Sequence, residues 1–134
     1  MTDTASGVFK ITNWEPQTYD EADGATLGRV SVGKEFSGGV VGASTAELLT
    51  VHDASGQPAV YVAVERVTGA LDGRSGSFVL HHTAPGTAGE PIVIRIVPNT
   101  GTGDLAGITG ALTITGDVEG GHTYSISYDL APAG

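Results

Sequence analysis

Apolar and polar side chains alternate along most of this chain, in short runs broken by glycine, aspartate and proline. Period-2 alternation predicts eight strands: Ala5 to Trp14, Leu27 to Phe36, Val40 to His52, Ala59 to Leu71, Gly76 to His82, Ile92 to Val97, Ala111 to Thr115 and Thr123 to Leu130. The breaks between them carry turn chemistry, as at Ser37-Gly38-Gly39, Asp53 to Pro58, Asp72-Gly73-Arg74-Ser75, Pro98 to Gly103 and Gly120-Gly121. Glu15 to Gly24, with Pro16 and the acidic run Asp20-Glu21-Ala22-Asp23, reads as a solvated loop, and Thr83 to Gly89 as another. No window sustains helical periodicity with caps, so a βαβ fold is not expected. Hairpin-linked strands must hide their sheet edges, and closure does that best. The expectation is all-β: a single domain over residues 1–134 forming an eight-stranded antiparallel β-barrel, with a two-sheet sandwich as the alternative.

Composition sharpens this picture. The 134 residues include 21 glycines scattered among Val, Ile and Thr, which suits many tight turns and barrel corners. There is no cysteine, so disulfides, thiol nucleophiles and cysteine zinc sites are excluded, and a cytoplasmic location is compatible. Met1-Thr2-Asp3-Thr4 has neither the basic nor the apolar region of a secretory signal, and no apolar run suits a membrane helix. Six basic against 15 acidic side chains give a net charge of −9, which repels nucleic acid and anionic membranes. Gly101-Thr102-Gly103-Asp104-Leu105-Ala106-Gly107 has no following lysine or helix and matches no phosphate-binding fingerprint; it reads as a β-turn. His81 and His82 are adjacent on a strand, point to opposite faces and cannot share a metal. No cofactor is expected.

One constellation survives. If the third and fourth strands turn about Gly56, Glu47 lies across from Glu65. A hairpin centred on Gly73 then puts His81 across from Glu65 on the same face, with Arg95 reaching that face from the sixth strand opposite Ser77. A one-residue slip would substitute His82 for His81. Two facing carboxylates in a low-dielectric cavity supply an acid and a base, histidine moves the proton, and arginine stabilises an oxyanion. Tyr61 is placed to position an apolar substrate. On binary patterning alone the opposite reading is the stronger. Leu48, Val60, Val62, Val64, Phe78, Leu80, Ile92, Ile94 and Ile96 form the better core set, which would leave Glu47, Glu65, His81 and Arg95 as an exterior ladder of weak ion pairs. Leu49, Val51, Val67, Val79 and Val93 make the charged face half apolar too, so it also suits a homo-oligomer contact.

Glu65-Arg66-Val67-Thr68-Gly69, Gly73 to Leu80 and Gly101 to Gly110 resemble the bacterial domain-of-unknown-function family numbered 3224. Tyr19 to Gly24 and Phe36-Ser37-Gly38 extend the likeness over nearly the whole chain. That family is similar in fold to allene oxide cyclase and dirigent proteins. The resemblance implies an often oligomeric eight-stranded barrel with an apolar cavity that guides cyclisation of a hydrophobic substrate without a cofactor; it transfers no catalytic residue. Three functions follow as expectations: a cofactor-independent cyclase or isomerase acting on a small hydrophobic molecule, a lipocalin-like binding barrel for a small apolar ligand, or a structural module with a filled core. A polar dyad inside an apolar cavity distinguishes the first.

Overall fold

The computed structural model describes residues 2–85, 92–119 and 121–130. Eight antiparallel strands close into a barrel in chain order: β1 (Asp3–Ala22), β2 (Ala25–Gly38), β3 (Val40–Asp53), β4 (Pro58–Leu71), β5 (Arg74–Pro85), β6 (Val93–Ile96), β7 (Thr109–Val118) and β8 (Gly121–Asp129). Pairing of β1 with β8, from Asp3 opposite Tyr128 to Phe9 opposite His122, closes the sheet and rules out the sandwich. Among the described residues the one helical element is a single 3-10 turn, Gly103–Leu105, where a β-turn is expected from sequence. No helix there is long and apolar enough to cross a membrane.

The expected loop over Glu15 to Gly24 is instead the far half of β1, paired with β2 from Glu15 opposite Ser31 to Ala22 opposite Ala25. Its side chains are exposed, as their polarity requires, but its backbone is strand. Beyond Phe9 the other edge of β1 has no β8 partner among the described residues, and Pro16 is tolerated there because only one edge needs a ladder. The Thr83 to Gly89 loop begins later than expected: Thr83, Ala84 and Pro85 belong to β5, and residues 86–89 lie outside the described residues. Gly120 of the last predicted turn also lies outside them.

The barrel is filled at one end and hollow at the other. Phe36, Leu71, Phe78, Leu80, Tyr124, Ile126 and Tyr128 pack the closed end, and the 3-10 turn presses Leu105 onto them with Ile108 behind. The Tyr124 hydroxyl stays satisfied there, donating to the Ser37 carbonyl at 2.8 Å and accepting from the Val40 amide at 2.9 Å. Tyr128 donates to Asp72 Oδ2 at 2.5 Å. Towards the open end the inward side chains are Val30, Val32, Ala46 and Leu48, which line a space instead of filling it.

Two strands at the closed end meet backbone to backbone. Gly42 on β3 faces Gly69 on β4, and a Cβ on Gly69 would lie 2.2 Å from the Val41 carbonyl oxygen. No flexible side chain can yield there, so Gly69→Ala is expected to cost about 3 kcal/mol of unfolding free energy, the upper end of overpacking effects. Urea denaturation checks this; a variant as stable as the parent would mean that the strands part without penalty.

Candidate functional site

Which face each strand presents is decided at two turns. Between β3 and β4, Asp53 Oδ1 accepts from the Ser55 hydroxyl at 2.6 Å and from the Ser55 and Gln57 amides. The ladder then runs His52 opposite Pro58 but Val51 opposite Val60, so Ala59 is an extra residue, a bulge. Between β4 and β5, Asp72 (φ 49°) and Gly73 (φ 84°) make a two-residue turn with both residues left-handed, and Leu71 pairs with Arg74. Each feature moves the register by one residue from the sequence expectation. Together they turn β4 over while β3, β5 and β6 keep their expected faces.

The Glu47–Glu65 pair therefore does not form. Glu65 stands opposite Ala46 and Leu80 and points into the barrel; Glu47 stands opposite Val64 and points out. Glu47 binds Arg29 Nε at 3.0 Å and accepts from the Ser31 hydroxyl at 2.9 Å on the outer surface. Those two bonds, Arg29 first, hold its carboxyl below the usual range. His81 also faces outward, opposite Val64 and Arg95, and does not reach Glu65; Arg95 pairs with His81 rather than Ser77. Val60, Val62 and Val64, expected in the core, are exposed on the same outer face. Tyr61 does line the cavity, its ring 6.5 Å from that of His82.

Glu65 is 1% exposed and sits where the packed end gives way to the hollow one. Its Oε1 lies 2.7 Å from His82 Nε2 and 3.2 Å from Lys34 Nζ, and its Oε2 accepts from the Ser44 hydroxyl at 2.6 Å. Burial on its own would push this carboxyl up. The His82 hydrogen bond, the Lys34 charge and the Ser44 hydroxyl outweigh that and hold it at about 2, so it is ionised at neutral pH. Lys34 Nζ also lies 4.7 Å from the centre of the Phe9 ring, a cation–π contact.

Above this cluster opens a cavity of about 630 Å³, within the range of small-molecule sites. Its walls are mainly apolar, including Ile11, Trp14, Val30, Val32, Leu48 and Ile114. Lys34 and His82 are part of its lining, whereas Glu65 is sealed behind them. His82 Nδ1 has no hydrogen bond among the described residues, and no fully enclosed side-chain nitrogen or oxygen there lacks a partner, so Nδ1 faces the cavity. His122 closes one side, its Nδ1 2.5 Å from Asp117 Oδ1 and its ring 5.0 Å from Phe9. The described residues hold no group of three or more His, Asp or Glu placed to ligate a metal ion. The arrangement can do two things: accept an apolar molecule, and exchange a proton with it at His82 while Lys34 faces any developing negative charge.

Lys34 and Ser44 escape the sequence reading, and His82 enters it only as the product of a register slip. Lys34 had a signal. It falls in phase with Val30, Val32 and Phe36 on β2, a single charge interrupting an apolar face.

The family model described as "Protein of unknown function (DUF3224)" matches residues 5–128. A crystal structure of a DUF3224 protein of unknown function from Shewanella oneidensis MR-1 is 34% identical, covers 99% of this chain and 100% of that one, and superposes with a TM-score of 0.88. No curated protein matches.

Proposed function

The chain belongs to the DUF3224 family, described only as of unknown function, and we propose that it is a cofactor-independent isomerase or cyclase acting on a small hydrophobic molecule in the barrel cavity. One observation carries this reading: a buried carboxylate–histidine pair with an adjacent lysine at the floor of a mainly apolar cavity. In this reading His82 Nδ1 takes a proton from carbon beside a substrate carbonyl, and the C–H electrons move into an enolate whose oxygen is stabilised by Lys34 Nζ. Returning the proton to another atom isomerises the substrate; attack of the enolate carbon on a second carbonyl carbon of the same molecule closes a ring, the C=O π pair moving to its oxygen, which takes the proton back from His82. Neither outcome needs a co-reactant. Glu65 touches no substrate; it fixes the His82 ring and offsets the imidazolium charge. Tyr61 packs against the substrate body. Glu47, His81 and Arg95 face the outside and have no part in it.

The test is exchange of the α-protons of 1-indanone in deuterated buffer, followed by proton NMR. Exchange is expected above the buffer rate and to fall about 100-fold in His82→Phe, the smaller end of general-base effects. Exchange at the buffer rate, or a rate indifferent to His82→Phe, would sink the catalytic reading. A binding barrel without catalysis is the second reading, favoured by the full engagement of Glu65 by three partners. It predicts binding without exchange.

Both readings need the cavity to be accessible. Trp14, the chain's single tryptophan, lies on its wall and is an energy-transfer donor to 8-anilinonaphthalene-1-sulfonate. Ala46→Phe projects a ring into the space and is expected to weaken binding of that dye roughly 10-fold or more, as loss of an apolar subsite requires. Unchanged dye affinity would place the dye elsewhere.

A further inference from the structure

The ionisable lining of the cavity runs against the charge of the chain. Acidic side chains outnumber Lys and Arg by 15 to 6 overall. Yet no described carboxylate lines the cavity, while Arg29, Lys34 and three of the four histidines, His52, His82 and His122, do. Arg29 turns its guanidinium outward to Glu47 and His122 is engaged by Asp117; of the remaining cationic lining, Lys34 and His82 at the floor are the two gathered on one carboxylate. There, Lys34 Nζ and His82 Nε2 share one oxygen atom, Oε1 of Glu65. A single carboxylate faces two groups able to carry positive charge, in a site with little water to screen them. Lys34 has N–H donors beyond the one given to Glu65, and His82 Nδ1 is open to the cavity.

We infer that the cavity's ligand is an amphipathic organic anion, an apolar body carrying a carboxylate that meets Lys34 Nζ and His82 Nδ1 at the floor. The inference rests on the proposed reading of the cavity as a small-molecule site and adds the chemistry of the molecule's polar end. A carboxylate that accepts from Lys34 Nζ and binds together with a proton on His82 Nδ1, as the imidazolium stage of the proposed cycle provides, completes a set of two anions and two cationic donors. A neutral hydroxyl leaves the second donor unmatched, and an ammonium meets Lys34 as a like charge. The body of the ligand lies against Trp14, Leu48 and Val32, with Tyr61 beside its polar end. In a catalytic cycle the same pocket would hold the enolate oxygen, for which a stable carboxylate is a mimic.

Calorimetric titration with 2-naphthoate, 2-naphthalenemethanol and 2-naphthylmethylamine tests this on the unmodified protein. The body is constant and only the head group's charge changes. The naphthoate is expected to bind roughly 10-fold or more tightly than the alcohol, as charge-assisted hydrogen bonds require, and the amine most weakly. The net charge of −9 opposes this order, so a non-specific effect would reverse it. Lys34→Met should bring naphthoate and alcohol to within about 2-fold of each other, since the discriminating charge is gone. Equal or weaker binding of the naphthoate, or a preference that survives Lys34→Met, overturns the inference while leaving a small-molecule cavity in place. Failure of all three to bind overturns the cavity reading and the inference together.

Discussion

Replacing Glu65 with leucine is expected to lower the unfolding free energy by about 3–5 kcal/mol, the cost of removing one partner from a buried charge pair. Leucine is close in size, so packing is not the main loss. What is lost is the common acceptor of Lys34, Ser44 and His82. The Ser44 hydroxyl and His82 Nε2 are left in a buried site, and Lys34, whose side chain is 12% exposed, has no other carboxylate within ion-pair distance among the described residues. Glu47→Leu is the control. Its partners Arg29 and Ser31 sit at the surface, and exposed pairs of that kind are often worth too little to measure. A second comparison separates charge from packing. Lys34→Met added to Glu65→Leu should recover part of the loss, because an apolar pair of similar volume replaces a buried ion pair at little cost. Chemical denaturation of the four proteins decides the matter. Equal losses for Glu65→Leu and Glu47→Leu would contradict the buried cluster.

The contrast between these two glutamates marks where sequence legibility stopped. Alternation placed all eight strands, because the period-2 pattern reflects a backbone that shows successive side chains to opposite faces. Hairpin pairing of β3 with β4 and of β4 with β5 was equally readable. Register was not, because it depends on a single residue at each turn. Ala59 bulges out of the β3–β4 ladder, and nothing in its own chemistry marks it. The β4–β5 turn did carry its mark: Asp72-Gly73 is a strong signature of a two-residue turn with both residues left-handed, which brings Leu71 against Arg74. A three-residue turn at the same place sends His81, not His82, towards Glu65. One such step exchanges every inward side chain for its neighbour. That is why Val60, Val62 and Val64 were expected inside and stand outside, and why the carboxylate pair dissolved into one buried and one half-buried, outward-facing residue. The β1 extension shows a different limit. Glu15 to Ala22 has a loop's composition because both faces meet water, and composition reports burial more directly than it reports backbone conformation.

Acid should expose the same cluster without changing a heavy atom in its neighbours. The Glu65 carboxyl lies at about 2 in the folded protein, below its ordinary value of 4.5. A carboxyl depressed on folding stabilises the fold fully above its unfolded value, and that contribution is lost as pH falls through the folded one. The relevant window is therefore the stretch between these two values. Glu65→Gln is the informative variant, because glutamine has the shape of the protonated acid and cannot titrate. At neutral pH the parent should be more stable than Glu65→Gln. As pH falls through the window the gap should close at a rate approaching 1.4 kcal/mol per pH unit, the limit for one proton. Near pH 2 the two proteins should become similar in stability. Glu47 and Asp53 are also depressed, but both face outward and are unchanged in the variant, so their titration cancels in the difference. Urea denaturation of both proteins at closely spaced pH values supplies the curves. A gap that stays constant from neutral pH down to 2 would mean that Glu65 is not held as an anion by Lys34, His82 and Ser44.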